Sequence, residues 1–219
     1  MARIRLICFD LGGVIVRGRR SWEDAREAAG LPPRGSISSS DLLARFRPCD
    51  RLFELGQIST DDFFDRCSRE IDRLYTPDEL RRIHEAWIDG EYPGMDRLVK
   101  ELRPRFRTAC LSNTNPKHWE MMETAPPPPE YRAFRALDTR QASHLLGLAK
   151  PAPEIFREFE RRTESIPGEI LFFDDLEVNV RAAREAGWNA RQVDSLGDPR
   201  MQILAFLRAG GLLDAVSGQ

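Results

Sequence analysis

Ile4-Arg5-Leu6-Ile7-Cys8-Phe9-Asp10-Leu11-Gly12-Gly13-Val14 carries an apolar run directly into a carboxylate and two glycines. Such a run reads as a strand buried on both faces that ends where Asp10 stands. Four more apolar runs have the same character, over residues 108–111, 132–137, 170–173 and 190–193. Helical patterns follow them over 117–122, 153–162, 178–186 and 199–208, and Gly187 stands where the third of these helices would end. Repeated strand–helix units imply a parallel sheet covered on both faces, a doubly wound Rossmann-like α/β fold.

The first strand breaks this rhythm. Some ninety residues separate it from the second, too many for one crossover, and they read as helices. Thr76-Pro77-Asp78-Glu79 is a helix start, with a threonine N-cap, proline at N1 and glutamate at N3. Beyond it Leu80, Ile83, His84 and Trp87 share one face, and Phe63, Cys67 and Ile71 form a similar stripe after Ser59. Residues 25–30 and 41–46 carry shorter helical patterns. The expected organisation is therefore a core made of residues 1–16 and 89–219, with a helical cap, 17–88, inserted above the carboxyl ends of the strands. Ligands bind there in open α/β sheets.

Composition narrows the class. The chain has 219 residues, 41% hydrophobic and 31% charged, enough for one ordinary α/β domain with an insertion. Lys+Arg total 33 against 35 Asp+Glu, so no net charge steers it toward nucleic acid or an anionic membrane. Cys8, Cys49, Cys67 and Cys110 form no CxxC pair and read as reduced structural thiols. Asp10 interrupts the N-terminal apolar run, no small-residue cleavage pattern follows, and no segment approaches a membrane span. A cytoplasmic protein is expected. The four prolines at 126–129 read as a stiff loop.

The chemistry-bearing residues stand at strand ends. Asp10 follows the first strand, and Ser112 and Asn113 follow the second. A lysine, Lys150, is pinned by the Pro151-Ala152-Pro153 run, and Asp174 and Asp175 follow the fourth strand. Each alone has an ordinary explanation, since Asp, Ser and Asn form turns and lysines are usually solvated. The adjacent carboxylates repel one another unless a cation or hydrogen bonds compensate, and they resemble half of a hard-cation site.

These four pieces, in this order, resemble the signature motifs of the haloacid dehalogenase (HAD) superfamily over nearly the whole chain. The stretches Phe53-Glu54-Leu55-Gly56-Gln57-Ile58-Ser59, Tyr92-Pro93-Gly94 and Ser112-Asn113-Thr114-Asn115 with His118-Trp119 resemble its subgroup with a small helical cap. The resemblance implies a sheet of order 5-4-1-2-3 and Asp10 as nucleophile of a Mg²⁺-dependent phosphohydrolase. It further implies Asp10, the Gly12 carbonyl, Asp174 and Asp175 as metal ligands. Lys150, Ser112 and the Asn113 backbone N–H would hold the phosphoryl oxygens. The implied partner is a small phosphorylated metabolite such as a sugar phosphate, with a monomer or homodimer as the working unit. One position departs from the family pattern: Gly12 stands where most of its phosphatases carry an acid–base aspartate.

Two other functions stay open on the residues. A metal-independent 2-haloacid dehalogenase shares the fold and nucleophile, though the Asp174–Asp175 pair speaks against it. A catalytically weak binding protein is suggested by Gly12 alone. His84, Trp87, His118 and Trp119 are expected to pack rather than react, and His144 to serve a turn. Arg17, Arg19 and Arg20 read as a solvated turn or an anion grip, and Trp22 and Glu54 as cap residues facing substrate.

Overall fold

The computed structural model describes residues 3–124 and 130–214, so the four prolines lie outside the described residues. β1 (Leu6–Phe9) is buried at every position. Its side chains alternate as strand geometry requires: Leu6 and Cys8 enter one apolar cluster, Ile7 and Phe9 another on the opposite face. The chain then turns through a short ribbon strand, β2 (Val16–Gly18), into four helices: α1 (Trp22–Ala28), α2 (Ser39–Glu54), α3 (Thr60–Glu70) and α4 (Pro77–Glu85). Each opens on a serine or threonine whose side chain accepts a backbone N–H, and α4 has the full capping box of Thr76 with Glu79. Their apolar faces form a third cluster, from Trp22 to Ile83, separate from both faces of the sheet. β3 (Ile88–Glu91) returns antiparallel to β2 and closes the ribbon.

The remaining elements alternate. α5 (Met95–Leu102) precedes β4 (Arg107–Ser112), α6 (Pro116–Thr124) and α7 (Arg132–Ala136). β5 (Thr139–Ala142), α8 (Ser143–Leu146) and α9 (Pro153–Thr163) follow, then β6 (Ile170–Asp174), α10 (Glu177–Glu185), β7 (Asn189–Gln192) and α11 (Pro199–Ala209). The main sheet has the order β5-β4-β1-β6-β7, all parallel. Counted along the five core strands this is 5-4-1-2-3, the order the resemblance implied.

One expected strand is misplaced. Residues 132–137 are not a strand: 132–136 form α7, and the strand lies just beyond it at Thr139–Ala142. Ala133, Phe134 and Leu137 stand at helical spacing and are buried. The Glu91 carboxylate, from β3, accepts the N–H groups of Ala133 and Phe134 at 2.9 and 2.8 Å. That distant cap satisfies a helix start that has no side-chain cap of its own. β5 is an edge strand, where half-buried Thr139 and Arg140 are tolerated.

Candidate active site

Because β4, β1 and β6 are neighbours, their carboxyl ends carry Ser112, Asp10 and Asp174 to one edge of the sheet. Lys150 reaches the same point from the loop between α8 and α9. Its Nζ lies 2.6 Å from Asp174 Oδ2 and 3.1 Å from Asp10 Oδ1, with both the ammonium and Asp174 fully enclosed. Asp10 Oδ1 also accepts the Leu11 N–H at 2.7 Å, and the nearby Ser112 hydroxyl favours the charged form of the same carboxyl group. The Asp10 side chain is thus held in one orientation.

The charge balance is unequal. Burial pushes the Asp10 carboxyl up to about 7; Asp174 adds to the push and Lys150 opposes it. Asp175 is raised by burial and by Asp174. For Lys150 burial works against the charge, but Asp10 and Asp174 outweigh it and hold the ammonium above its ordinary range. Three carboxylates, each with an oxygen within 4.8 Å of the others, face one ammonium. A cluster short of two positive charges, offering only hard oxygen donors, fits a small divalent cation.

Supporting residues keep the cluster in register. Asn179 Nδ2 donates to both Asp174 oxygens at 3.0 and 3.1 Å, and the Leu176 N–H donates to Oδ1 at 2.9 Å. The Asn113 amide exchanges two hydrogen bonds with the Lys150 backbone, at 2.9 and 2.8 Å. The Ser143 hydroxyl bonds both the N–H and the carbonyl of Thr114. Gly13 has φ +72°, and a Cβ there would meet Asp175 Oδ2 at 2.3 Å, so only glycine fits. Gly12 differs: its φ lies outside the left-handed region and a Cβ would touch nothing within 4 Å. The supporting roles of Asn179 and Gly13 escape the sequence reading. Asn179 gives only the faint signal of an amide one helical turn past Asp175.

Above this edge a cleft of about 420 Å³ is lined by Arg47, Asp50 and Glu54 of α2, Trp87, Asn113 and His118. Burial raises the Glu54 carboxyl despite its ion pair with Arg51 at 3.3 Å. The loop after α2 packs closely on α8, since a Cβ at Gly56 would meet the His144 carbonyl at 2.5 Å. Trp22 is not in this cleft; it is buried in the apolar cluster of α1–α4. Arg17 and Arg19 brace the ribbon, bonding the Asp89 and Ala86 carbonyls. Arg20 is exposed.

A doubly wound sheet with an acidic cluster and a buried lysine at the carboxyl ends of its central strands defines a hydrolase class. The chain belongs to the haloacid dehalogenase-like hydrolase family, whose model matches residues 4–187. It is similar to a D-ribitol-5-phosphate phosphatase of Bacteroides thetaiotaomicron, 29% identical over 94% of this chain and 100% of that protein. A phosphatase of Mycobacterium tuberculosis is 28% identical over 96% of this chain and 97% of its own length. Among solved structures it resembles a HAD family enzyme of B. thetaiotaomicron in complex with magnesium and inorganic phosphate. That likeness has TM-score 0.74 and 25% identity, over 89% of this chain and 96% of that one. Among the described residues no helix is long and apolar enough to cross a membrane.

Proposed function

We propose that this hydrolase is a Mg²⁺-dependent phosphatase of small phosphate monoesters, of the sugar- or polyol-phosphate kind, with residues 17–88 as its cap. The observation that carries the reading is the Asp10–Lys150–Asp174 contact beside Asp175. It unites an oriented carboxylate, a buried ammonium and an unmet demand for positive charge. The phosphatases it resembles, and the magnesium and phosphate bound in one such structure, support the same chemistry.

Asp10, Asp174 and Asp175 would hold Mg²⁺, with the Gly12 carbonyl as a further donor. The ion supplies positive charge against the phosphate dianion. Asp10 attacks phosphorus, a bond forms from its carboxylate oxygen, and the bond to the leaving alcohol breaks. That alcohol takes its proton from solvent, because Gly12 has none to give. Lys150 draws charge from a phosphoryl oxygen, and Ser112 and the Asn113 N–H donate to the others. Water then attacks the phosphorus of the aspartyl-phosphate, releasing inorganic phosphate and restoring Asp10. A halide-releasing reaction would leave the Asp174–Asp175 pair without a task.

Turnover of an aryl phosphate with and without Mg²⁺ tests the reading. Chelation should abolish turnover, and Asp10→Asn should lower kcat by roughly 10³-fold or more, because an amide forms no acyl-phosphate. Full activity in excess chelator would overturn it.

A further inference from the structure

Two imidazole rings lie face to face where the cap meets the core. His84 of α4 and His118 of α6 stack with centroids 4.0 Å apart and 12° between their planes. His118 Nε2 lies 2.7 Å from the His84 carbonyl, which can only accept, so Nε2 carries the proton. Burial lowers the His118 pKa to about 4 and keeps the ring neutral, so its Nδ1 is bare and accepts from Asn115 Nδ2 at 3.3 Å. That turns Asn115 Oδ1 toward His84 Nε2, 3.2 Å away, which donates to it. The same Oδ1 accepts the His118 N–H at 2.9 Å and caps the start of α6. Beside the rings, Lys117 of α6 pairs with Glu85 of α4 at 3.0 Å.

Asn115 stands in the loop that also carries Asn113 and Thr114. On its core side this loop is tied to the Lys150 backbone through Asn113 and to Ser143 through Thr114. It also accepts from His144 Nδ1 at the Thr114 carbonyl and bonds His118 through Asn115, and its bond to the cap is the one from His84 Nε2 to Asn115 Oδ1. We propose that His84 and His118, acting through Asn115, are positioning residues that latch the cap onto loop 113–115 and so set the closed cleft in which substrate binds. The proposal rests on the phosphatase reading for its kinetics, though not for its structural readout. A latch acts on the balance between closed and open cap. Weakening it lowers the population competent to bind, which raises KM, while saturating substrate pulls the cap closed and restores kcat.

His84 also touches the rings of Phe53, Phe63 and Phe64 at 6.0, 5.6 and 5.4 Å, so the variants must separate packing from bonding. His84→Phe keeps the aromatic contacts and loses the donor. His84→Gln loses the ring but places an N–H near the position of Nε2. Turnover of p-nitrophenyl phosphate with Mg²⁺ and amide hydrogen exchange over residues 113–118 are measured on the full chain. His84→Phe should raise KM by roughly tenfold with kcat within about twofold. It should also speed exchange in 113–118, and His84→Gln should recover most of both effects. Wild-type KM and exchange in His84→Phe, or His84→Gln as impaired as His84→Phe, would overturn the latch. So would faster exchange spread evenly over α1–α4, the mark of a loosened cap fold. Exchange needs no turnover, so an inactive wild-type protein would defeat the phosphatase reading while the exchange data still decide this one.

Discussion

The sheet edge and the cleft above it are made of similar residues but finished differently. At the edge, Asp174 is met by Lys150, Asn179 and the Leu176 N–H, and Lys150 is fixed through both its ammonium and its backbone. In the cleft, the Arg47 side chain has no hydrogen bond or ion pair with another described residue. Asp50 there is pushed up to about 7, by burial and then by the charge of Glu54. A preorganised end suits the invariant part of a reaction, where fixed dipoles avoid reorganisation. An unsatisfied end suits the variable part, since a hydroxylated leaving group would bring the missing donors and acceptors with it.

The heaviest blow to this contrast falls on Lys150. Lys150→Met keeps much of the length and removes the charge, leaving two carboxylates without their cation. Removing one partner of a buried pair costs roughly 3–5 kcal/mol, and at 2–4 °C per kcal/mol the metal-free melting temperature should fall by about 10 °C. Mg²⁺ should restore most of that, because it meets the same charge deficit. Activity should stay down by roughly 10³-fold even with Mg²⁺, because the phosphoryl oxygen loses its ammonium. More than about a tenth of wild-type kcat would show that the edge is less interdependent than its geometry indicates.

Much of the edge is legible in sequence because strand ends are local signals. Phe9-Asp10, Leu111-Ser112 and Phe173-Asp174 each mark the point where an apolar run stops. The partners of these residues are not local. Asn179 reaches Asp174 across a helix start, and Gly13 matters through its positive φ and the closeness of Asp175. The missed strand has the same cause: Glu91 caps α7 from forty residues away, turning an apparent strand into a helix. α5 reads in sequence only as part of the helical stretch before the second strand, despite a clear signal of its own, Met95, Leu98, Val99 and Leu102 at i, i+3, i+4 and i+7. The β2–β3 ribbon, with strands of three and four residues, gives almost none.

Gly12 tests the one gap in the finished edge. A positioned general acid contributes typically 10²–10⁴-fold. Without one, phosphates of acidic leaving groups should outrun alkyl phosphates. The open space over Gly12 and its ordinary φ allow an aspartate, so Gly12→Asp should raise kcat/KM for an alkyl phosphate by roughly tenfold to a hundredfold. Aryl phosphates should change little. Equal gains on both would mean that the new carboxylate acts through the metal rather than as an acid.

The smallest expected effect concerns Asp50. Its carboxyl is raised from the usual 3.8 to about 7 in the folded chain, so between those values the native state binds more protons than the unfolded one. Stability must then fall as pH rises through that window and level off above it. The Asp50 side chain still reaches solvent at the mouth of the cleft, which screens the effect to roughly 1 kcal/mol. Asp50→Asn carries no charge to desolvate, so it should melt with the wild type at pH 4 and about 2–4 °C above it at pH 8. A polyol held in the cleft should narrow that difference in the wild type, by donating to the ionised carboxylate. Identical melting curves at both pH values would mean that Asp50 is already solvated, and the cleft would then be no less finished than the edge beneath it.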